Sequence, residues 1–206
     1  TVEELVQFMD EKPEYGIVSP IHLNGKGNEL DARFEGYMKK EFSKTFLSDY
    51  ADNKLRRFYD VPFVNAAAWM ISRRCLERVG IFHPMFFHYG EDNNYISRVS
   101  DYLFKVAVMA TTKIRHDREN LKSNPFRDNS KVIFKCKTTI NVLNKREARI
   151  KRFVLVIIDL ITIVSKVPAK GRFAFLKHGI KDWVSIAQSA RKFDERELDI
   201  KIFNPK

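Results

Sequence analysis

Hydrophobic positions in the first 120 residues switch between helical and strand-like spacing. Val2, Leu5, Val6 and Met9 follow the i, i+3, i+4, i+7 spacing of one helix face, and Pro13 marks the end of that helix. Apolar runs predict strands over residues 16–20, 63–72, 104–109 and 113–116. This alternation predicts an α/β domain over residues 1–120.

Two further helices are predicted between these strands. One spans residues 73–79 and ends at Gly80, and the other begins near Glu91. The second helix is expected to point four residues inward: Tyr95, Ile96, Val99 and Tyr102. Residues 30–60 have no clean period and are expected to be a long loop with some helix.

The composition changes after a polar linker over residues 121–130, and residues 131–206 are predicted to form a basic α-helical extension. Residues 153–164 are apolar apart from Asp159, but this run is well short of the roughly 20 residues that a spanning helix needs. It is therefore expected to be a buried or in-plane amphipathic helix. A last helix over about residues 173–192 is expected to place four residues on one face: Ile180, Trp183, Val184 and Ala187.

The net charge of +11 is carried entirely by the C-terminal region. Residues 1–130 contain 19 basic and 19 acidic residues, whereas residues 131–206 contain 18 basic and 7 acidic residues. A neutral body with a basic tail is typical of docking on an anionic surface, either a membrane or a nucleic acid. The two distant cysteines, Cys75 and Cys136, indicate a reducing compartment, and no N-terminal segment predicts secretion.

Motifs between residues 59 and 120 carry a resemblance to a known family. They are NAAAWMISR (65–73), VGIFHP (79–84), FFHYGEDNNY (86–95), Arg98 and IRHD (114–117). In this order they resemble the second half of family 2 glycosyltransferases, in particular the bacterial rhamnosyltransferase-like branch. Residues 16–27 (GIVSPIHLNGKG) extend the resemblance towards the N-terminus, and residues 175–183 carry a weaker likeness.

This resemblance implies part of a doubly wound GT-A fold, the nucleotide-diphospho-sugar transferase type, and an inverting reaction. In such enzymes the acceptor hydroxyl attacks the anomeric carbon opposite the leaving nucleoside diphosphate. A carboxylate must accept the hydroxyl proton, and the family's Glu-Asp motif maps that base onto Asp92, with Glu91 orienting the site. The acceptor side would be lined by three residues: Trp69, His88 and Tyr89.

The resemblance also implies a divalent cation that stabilises the leaving diphosphate. His116 maps onto a histidine that often helps to bind this cation, and a histidine among oxygen ligands suits Mn²⁺ or Mg²⁺. The family's Asp-x-Asp motif is absent from these 206 residues. The main acidic ligands are therefore expected upstream of Thr1, together with the nucleotide-binding front half.

The implied partners are a nucleotide-sugar donor, a saccharide or lipid-linked saccharide acceptor of the cell envelope, and an anionic membrane surface. The implied location is cytoplasmic, peripheral on the inner face of the cell membrane. The donor sugar and the oligomeric state stay open.

Simpler readings of the same residues also stay open. Glu91 and Asp92 match the acidic residues that are common at helix N-termini. His116 matches a surface residue at a strand end, and Trp69 matches a core residue. The alternative function is a non-catalytic membrane-binding or scaffolding module that uses the basic helices. Nucleic-acid binding through the same charge ranks last, because the sequence contains no recognised nucleic-acid motif.

Overall fold

The computed structural model describes residues 1–39, 44–86, 89–117 and 129–199. Its elements follow in chain order: α1 (Val2–Glu11), β1 (Tyr15–Leu23), α2 (Ala32–Met38), α3 (Lys44–Ala51), β2 (Phe58–Asp60), β3 (Met70–Ile71), α4 (Arg73–Val79), α5 (Glu91–Asp101), β4 (Lys105–Arg115), α6 (Ser130–Leu143), α7 (Arg149–Lys166), α8 (Ala169–Lys192) and a 3₁₀ turn (Glu195–Leu198). The predicted α/β class is confirmed, and its finer assignment to the GT-A type stays a prediction.

The four strands form one mixed sheet in the order β2-β4-β1-β3. The two central strands, β1 and β4, run parallel, and each outer strand is antiparallel to its neighbour. Residues 15–22 of β1 are all buried, which explains their nearly continuous apolar sequence. The predicted strand over residues 16–20 is therefore confirmed and extended.

Two predicted strand assignments are wrong. Only Met70–Ile71 of the predicted strand over residues 63–72 pairs as a strand, because the preceding asparagine and three alanines disfavour strands. The two strands predicted over residues 104–109 and 113–116 are one strand, β4. Its pairing with β1 jumps from Pro20↔Met109 to Ile21↔Lys113, which leaves a bulge of three residues in β4.

The predicted helix faces are only partly correct. In α1 the buried residues are Leu5 and Phe8, whereas Val2 and Val6 are exposed. Phe8 faces the core because its large ring packs against two other rings, with centroids at 5.0 and 4.9 Å. Tyr102 is half-exposed and not inward, because α5 ends at Asp101 and the chain turns away.

The described residues divide into two compact units. Of the described residues, the first unit takes those within 1–81 and 96–117 together with Asp199, and the second takes those within 82–95 and 129–198. Residues 82–95 thus group with the C-terminal helices, although they precede the polar linker in sequence. The predicted domain ranges themselves stay a prediction, and most of the 121–130 linker lies outside the described residues.

The first unit packs α1 against the sheet. Its core joins six buried residues: Leu5, Phe8, Tyr15, Val18, Ala107 and Met109. Helix α4 lies beside β1, where Gly16 is needed because a Cβ would stand 2.7 Å from Cys75 Sγ. The predicted helix over residues 73–79, ended by Gly80 at φ 80°, is confirmed.

The second unit contains the three long helices α6, α7 and α8, which surround a separate core. This core consists of Phe134, Val156, Leu160, Ile163 and Phe175. Gly179 allows α8 to approach closely, because a Cβ there would stand 2.9 Å from Leu160 Cδ1. Over the described ranges, every helix is too short or too polar to cross a membrane.

Candidate functional site

The backbone turns sharply immediately before the Glu91-Asp92 pair. Tyr89 has φ 65° and Gly90 has φ 90°, both in the left-handed region. That region costs a residue with a Cβ about 1–2 kcal/mol, whereas glycine adopts it readily. Because α5 begins at Glu91, this turn fixes the direction in which the two carboxylates leave the backbone.

Helix α6 holds this turn in place. The Cys136 thiol donates a hydrogen bond to the Tyr89 carbonyl oxygen at 2.9 Å. A Cβ on Gly90 would stand 2.9 Å from both Cys136 Sγ and Ile140 Cδ1. The left-handed conformation and the close packing both require glycine at position 90.

Glu91 and Asp92 occupy the first turn of α5, where the helix dipole favours negative charge. Asp92 is half-buried, and its Oδ1 accepts hydrogen bonds from the backbone and side-chain nitrogens of Asn93 at 2.8 and 3.0 Å. Glu91 Oε2 is buried and accepts no hydrogen bond from the described part of the chain. A buried acceptor of this kind is unusual in folded proteins, and a catalytic role is one explanation for it.

Burial and the carboxylates of Glu91 and Asp92 raise the pKa of the Cys136 thiol. Burial, and then the negative charges of Glu91 and Asp92, raise the pKa of Cys136 from its ordinary 9.0 to about 11. The thiol therefore stays protonated at neutral pH and acts as a hydrogen-bond donor. This state is unsuited to nucleophilic catalysis, which requires the thiolate.

The raised pKa of Cys136 predicts a pH-dependent stability. The unfolded thiol ionises near pH 9 and the folded one near pH 11, so its contribution to stability is complete below pH 9 and is lost as the pH rises to 11. We expect the free energy of unfolding, measured by urea denaturation, to fall more steeply over this interval in the wild type than in Cys136→Ser. The serine keeps a donor to Tyr89 but does not titrate there. Equal slopes in the two proteins would contradict this prediction.

A second polar cluster lies at the carboxyl edge of the parallel strands β1 and β4. Leu23 pairs with Arg115 at the ends of these strands. The loop after β1 is closed by Asn24 Oδ1, which accepts from the Gly27 nitrogen at 2.7 Å. His116 follows β4 directly, and its backbone nitrogen donates to the Leu23 carbonyl at 2.8 Å. Ligands of α/β proteins characteristically bind at this edge of a sheet.

His116 lies close to a carboxylate and to a second histidine. Its Nδ1 is 3.9 Å from Asp31 Oδ2, and its ring is perpendicular to the buried His22 ring at a centroid distance of 6.1 Å. Asp31 Oδ1 caps α2 by accepting from the nitrogens of Arg33 and Phe34. His116 and Asp31 are thus candidates for two ligands of one cation. The described residues contain no group of three or more His, Cys, Asp or Glu side chains that could hold a metal ion.

Sequence reasoning missed Asp31 and assigned no role to His22. His22 is buried with its Nε2 2.9 Å from Ser19 Oγ. The signal for His22 was a histidine inside an otherwise apolar strand. The signal for Asp31 was an aspartate directly before the helical run ARFEGYM, the usual position of an N-cap.

Trp69 is half-buried and directly precedes β3. Because β3 runs antiparallel to β1 with Val18 opposite Met70, Trp69 lies towards the carboxyl end of β1. Asn65, four residues earlier in the sequence, is buried, and its Oδ1 has no hydrogen-bond partner within the described ranges.

The predicted site residues therefore form two groups. Tyr89, Glu91 and Asp92 share one turn in the second unit, and Trp69 and His116 belong to the first. His88 lies outside the described residues. Comparisons with family models, curated proteins and solved structures find no match to this chain.

Proposed function

We propose that this chain belongs to an inverting glycosyltransferase that moves a sugar from a nucleotide sugar to a cell-envelope glycan, with a saccharide or lipid-linked saccharide as acceptor. Asp92 is the base that takes the proton from the acceptor hydroxyl as the new glycosidic bond forms. The bond from the anomeric carbon to the nucleoside diphosphate breaks on the opposite face, which inverts the anomeric configuration.

The geometry around Glu91 and Asp92 is the observation that best supports this proposal. The left-handed turn at Tyr89 and Gly90, held by Cys136 and Ile140, orients two adjacent carboxylates. Glu91 Oε2 is buried and unpaired within the described ranges, so it is available to accept a hydroxyl of the acceptor. An ordinary pair of acids at a helix N-terminus needs neither the turn nor the buried oxygen.

In this proposal Trp69, Tyr89 and His88 are the aromatic residues that bind the acceptor, because aromatic faces pack against the apolar faces of sugar rings. His116 contributes to a site for Mn²⁺ or Mg²⁺, and Asp31 Oδ2 lies 3.9 Å from its Nδ1. A bound cation would stabilise the negative charge of the leaving diphosphate. His116 and Asp31 alone do not complete a coordination sphere, so a bound cation would need further oxygen ligands.

The proposed location is the cytoplasm, peripheral on the inner face of the cell membrane, where lipid-linked acceptors are accessible. The alternative, a non-catalytic membrane-binding module, needs no role for Asp92. The two functions therefore differ in whether the Glu91-Asp92 turn is required for anything other than folding.

The anomeric configuration of the product tests the proposed reaction. The complete protein that contains this sequence would be incubated with Mn²⁺, nucleotide sugars and lipid-linked acceptors, and the product examined by proton NMR. We expect the configuration opposite to that of the donor. A product with the donor's configuration would overturn the inverting mechanism and the assignment of Asp92 as its base.

A further inference from the structure

The second unit exposes an apolar surface that its own core does not use. On α7 the core side is formed by Val156, Leu160 and Ile163. A different side of the helix is apolar and exposed, at the spacing i, i+4, i+8, i+11. Its residues are Ile150, Val154, Ile158 and Ile161. The two most exposed of these, Ile150 and Ile161, are 79% and 62% accessible.

Helix α8 continues this surface. Phe173, Ile180 and Val184 are exposed at the spacing i, i+7, i+11, and Phe173 is 80% accessible. The rings of Phe153 on α7 and Trp183 on α8 are in contact, with centroids 5.0 Å apart, so they join the two stripes. The predicted face of α8 containing Ile180, Trp183 and Val184 is therefore turned largely to solvent, because Phe175, Gly179 and Ile186 occupy the core side.

Basic residues lie beside this apolar surface. Residues 145–192 contain twelve lysines and arginines but only three acidic residues. Lys177 and Lys181 are exposed and follow the flank of the α8 stripe, one turn apart. Lys151 is exposed next to Ile150 at the start of α7. Long cationic side chains at the edge of an apolar face can reach lipid phosphates while their stems stay on the apolar surface.

We propose that this surface, the α7–α8 face formed by Ile150, Val154, Ile158, Ile161, Phe173, Ile180 and Val184, docks on an anionic lipid bilayer. Apolar insertion and attraction of the flanking lysines to acidic headgroups act together in such helices. The helices would lie in the plane of the interface with the α7–α8 face about 5–10 Å deep.

The positive charge beside the α7–α8 face favours an anionic bilayer as its partner over a second copy of the chain. In a symmetric dimer each surface meets its own copy, so the excess of lysine and arginine would face an equal excess. An anionic bilayer instead neutralises this charge. The inference deepens the proposed peripheral location but does not rest on sugar transfer, so the vesicle measurement can fail while the transferase proposal stands.

The test is flotation of the full chain with vesicles of phosphatidylglycerol and phosphatidylcholine, compared with vesicles of phosphatidylcholine alone. We expect binding to the anionic vesicles only. The double variant Ile158→Ser and Ile161→Ser should lower the partition coefficient about 10-fold or more, because it removes apolar area from the centre of the α7–α8 face. Its matched control is Val2→Ser with Val6→Ser, which removes two exposed apolar side chains from α1.

Two double variants test whether vesicle binding needs the lysines beside the α7–α8 face. Lys177→Glu with Lys181→Glu should weaken binding about 10-fold or more, whereas Lys26→Glu with Lys54→Glu, an equal change of charge at exposed positions in the first unit, should have little effect. Chain that stays in solution with anionic vesicles would overturn the proposal. The proposal would also be overturned if the double variant Ile158→Ser and Ile161→Ser sedimented with a lower oligomeric mass but bound vesicles as well as the wild type does. That result would show that the α7–α8 face pairs with a second copy of the chain.

Discussion

Replacing Asp92 with asparagine is expected to reduce sugar transfer by about 10²–10⁴-fold, the contribution typical of a general base. The amide keeps the size of the side chain and still accepts a hydrogen bond from Asn93, but it cannot take up the acceptor proton. Because Asp92 is only half-buried, the free energy of unfolding should change little. The measurement is the turnover number of the complete protein, with circular dichroism and urea denaturation to verify the fold.

Asp101→Asn provides the matched control for this experiment. Asp101 is the exposed last residue of α5, so this variant makes the same chemical change on the same helix, away from its first turn. We expect near-normal turnover from Asp101→Asn. Near-normal turnover from Asp92→Asn would exclude Asp92 as the base.

Replacing Gly90 with alanine is expected to destabilise the protein by about 2–4 kcal/mol, through left-handed backbone strain and overpacking together. Gly90 has φ 90°, and the added Cβ would stand 2.9 Å from Cys136 Sγ and from Ile140 Cδ1. The chain must shift to relieve these contacts, and that shift displaces Glu91 and Asp92. Turnover should therefore fall even at temperatures where the variant is fully folded.

Gly36→Ala is the control for Gly90→Ala. Gly36 lies within α2, and a Cβ there would meet no atom within 4 Å. Alanine is a better helix former than glycine, so this variant should be stabilised by about 0.5–1 kcal/mol. Urea denaturation of both variants measures the contrast. Equal stabilities would show that the turn before α5 is not constrained as the packing around Gly90 indicates.

Features determined by neighbouring residues were predictable from the sequence. The apolar run after Tyr15 predicts β1. The glycine at position 80, after a short helical run, predicts the end of α4. Glu91 and Asp92 at the start of a helix were predicted as well, because acidic residues favour that position. In each case the physical cause lies within a few residues of the feature.

Features determined by distant partners were not predictable. Cys136 supports the Tyr89 carbonyl across 47 residues of sequence, and no local pattern connects the two. The bulge in β4 depends on where Met109 and Lys113 pair with β1. Similarly, α1 turns Phe8 inward and Val6 outward because of the rings that Phe8 contacts, although the sequence spacing favoured Val6.

Acceptor-dependent release of a nucleoside diphosphate tests the central claim most directly. The complete protein that contains this sequence would be assayed with Mn²⁺ against a panel of nucleotide sugars, each with and without lipid-linked saccharide acceptors. A glycosyltransferase is expected to release the diphosphate from one donor, faster with acceptor, and to lose this release in Asp92→Asn. If no donor and acceptor gave diphosphate release while the chain still bound anionic vesicles, the result would contradict the transferase proposal and favour the non-catalytic membrane module.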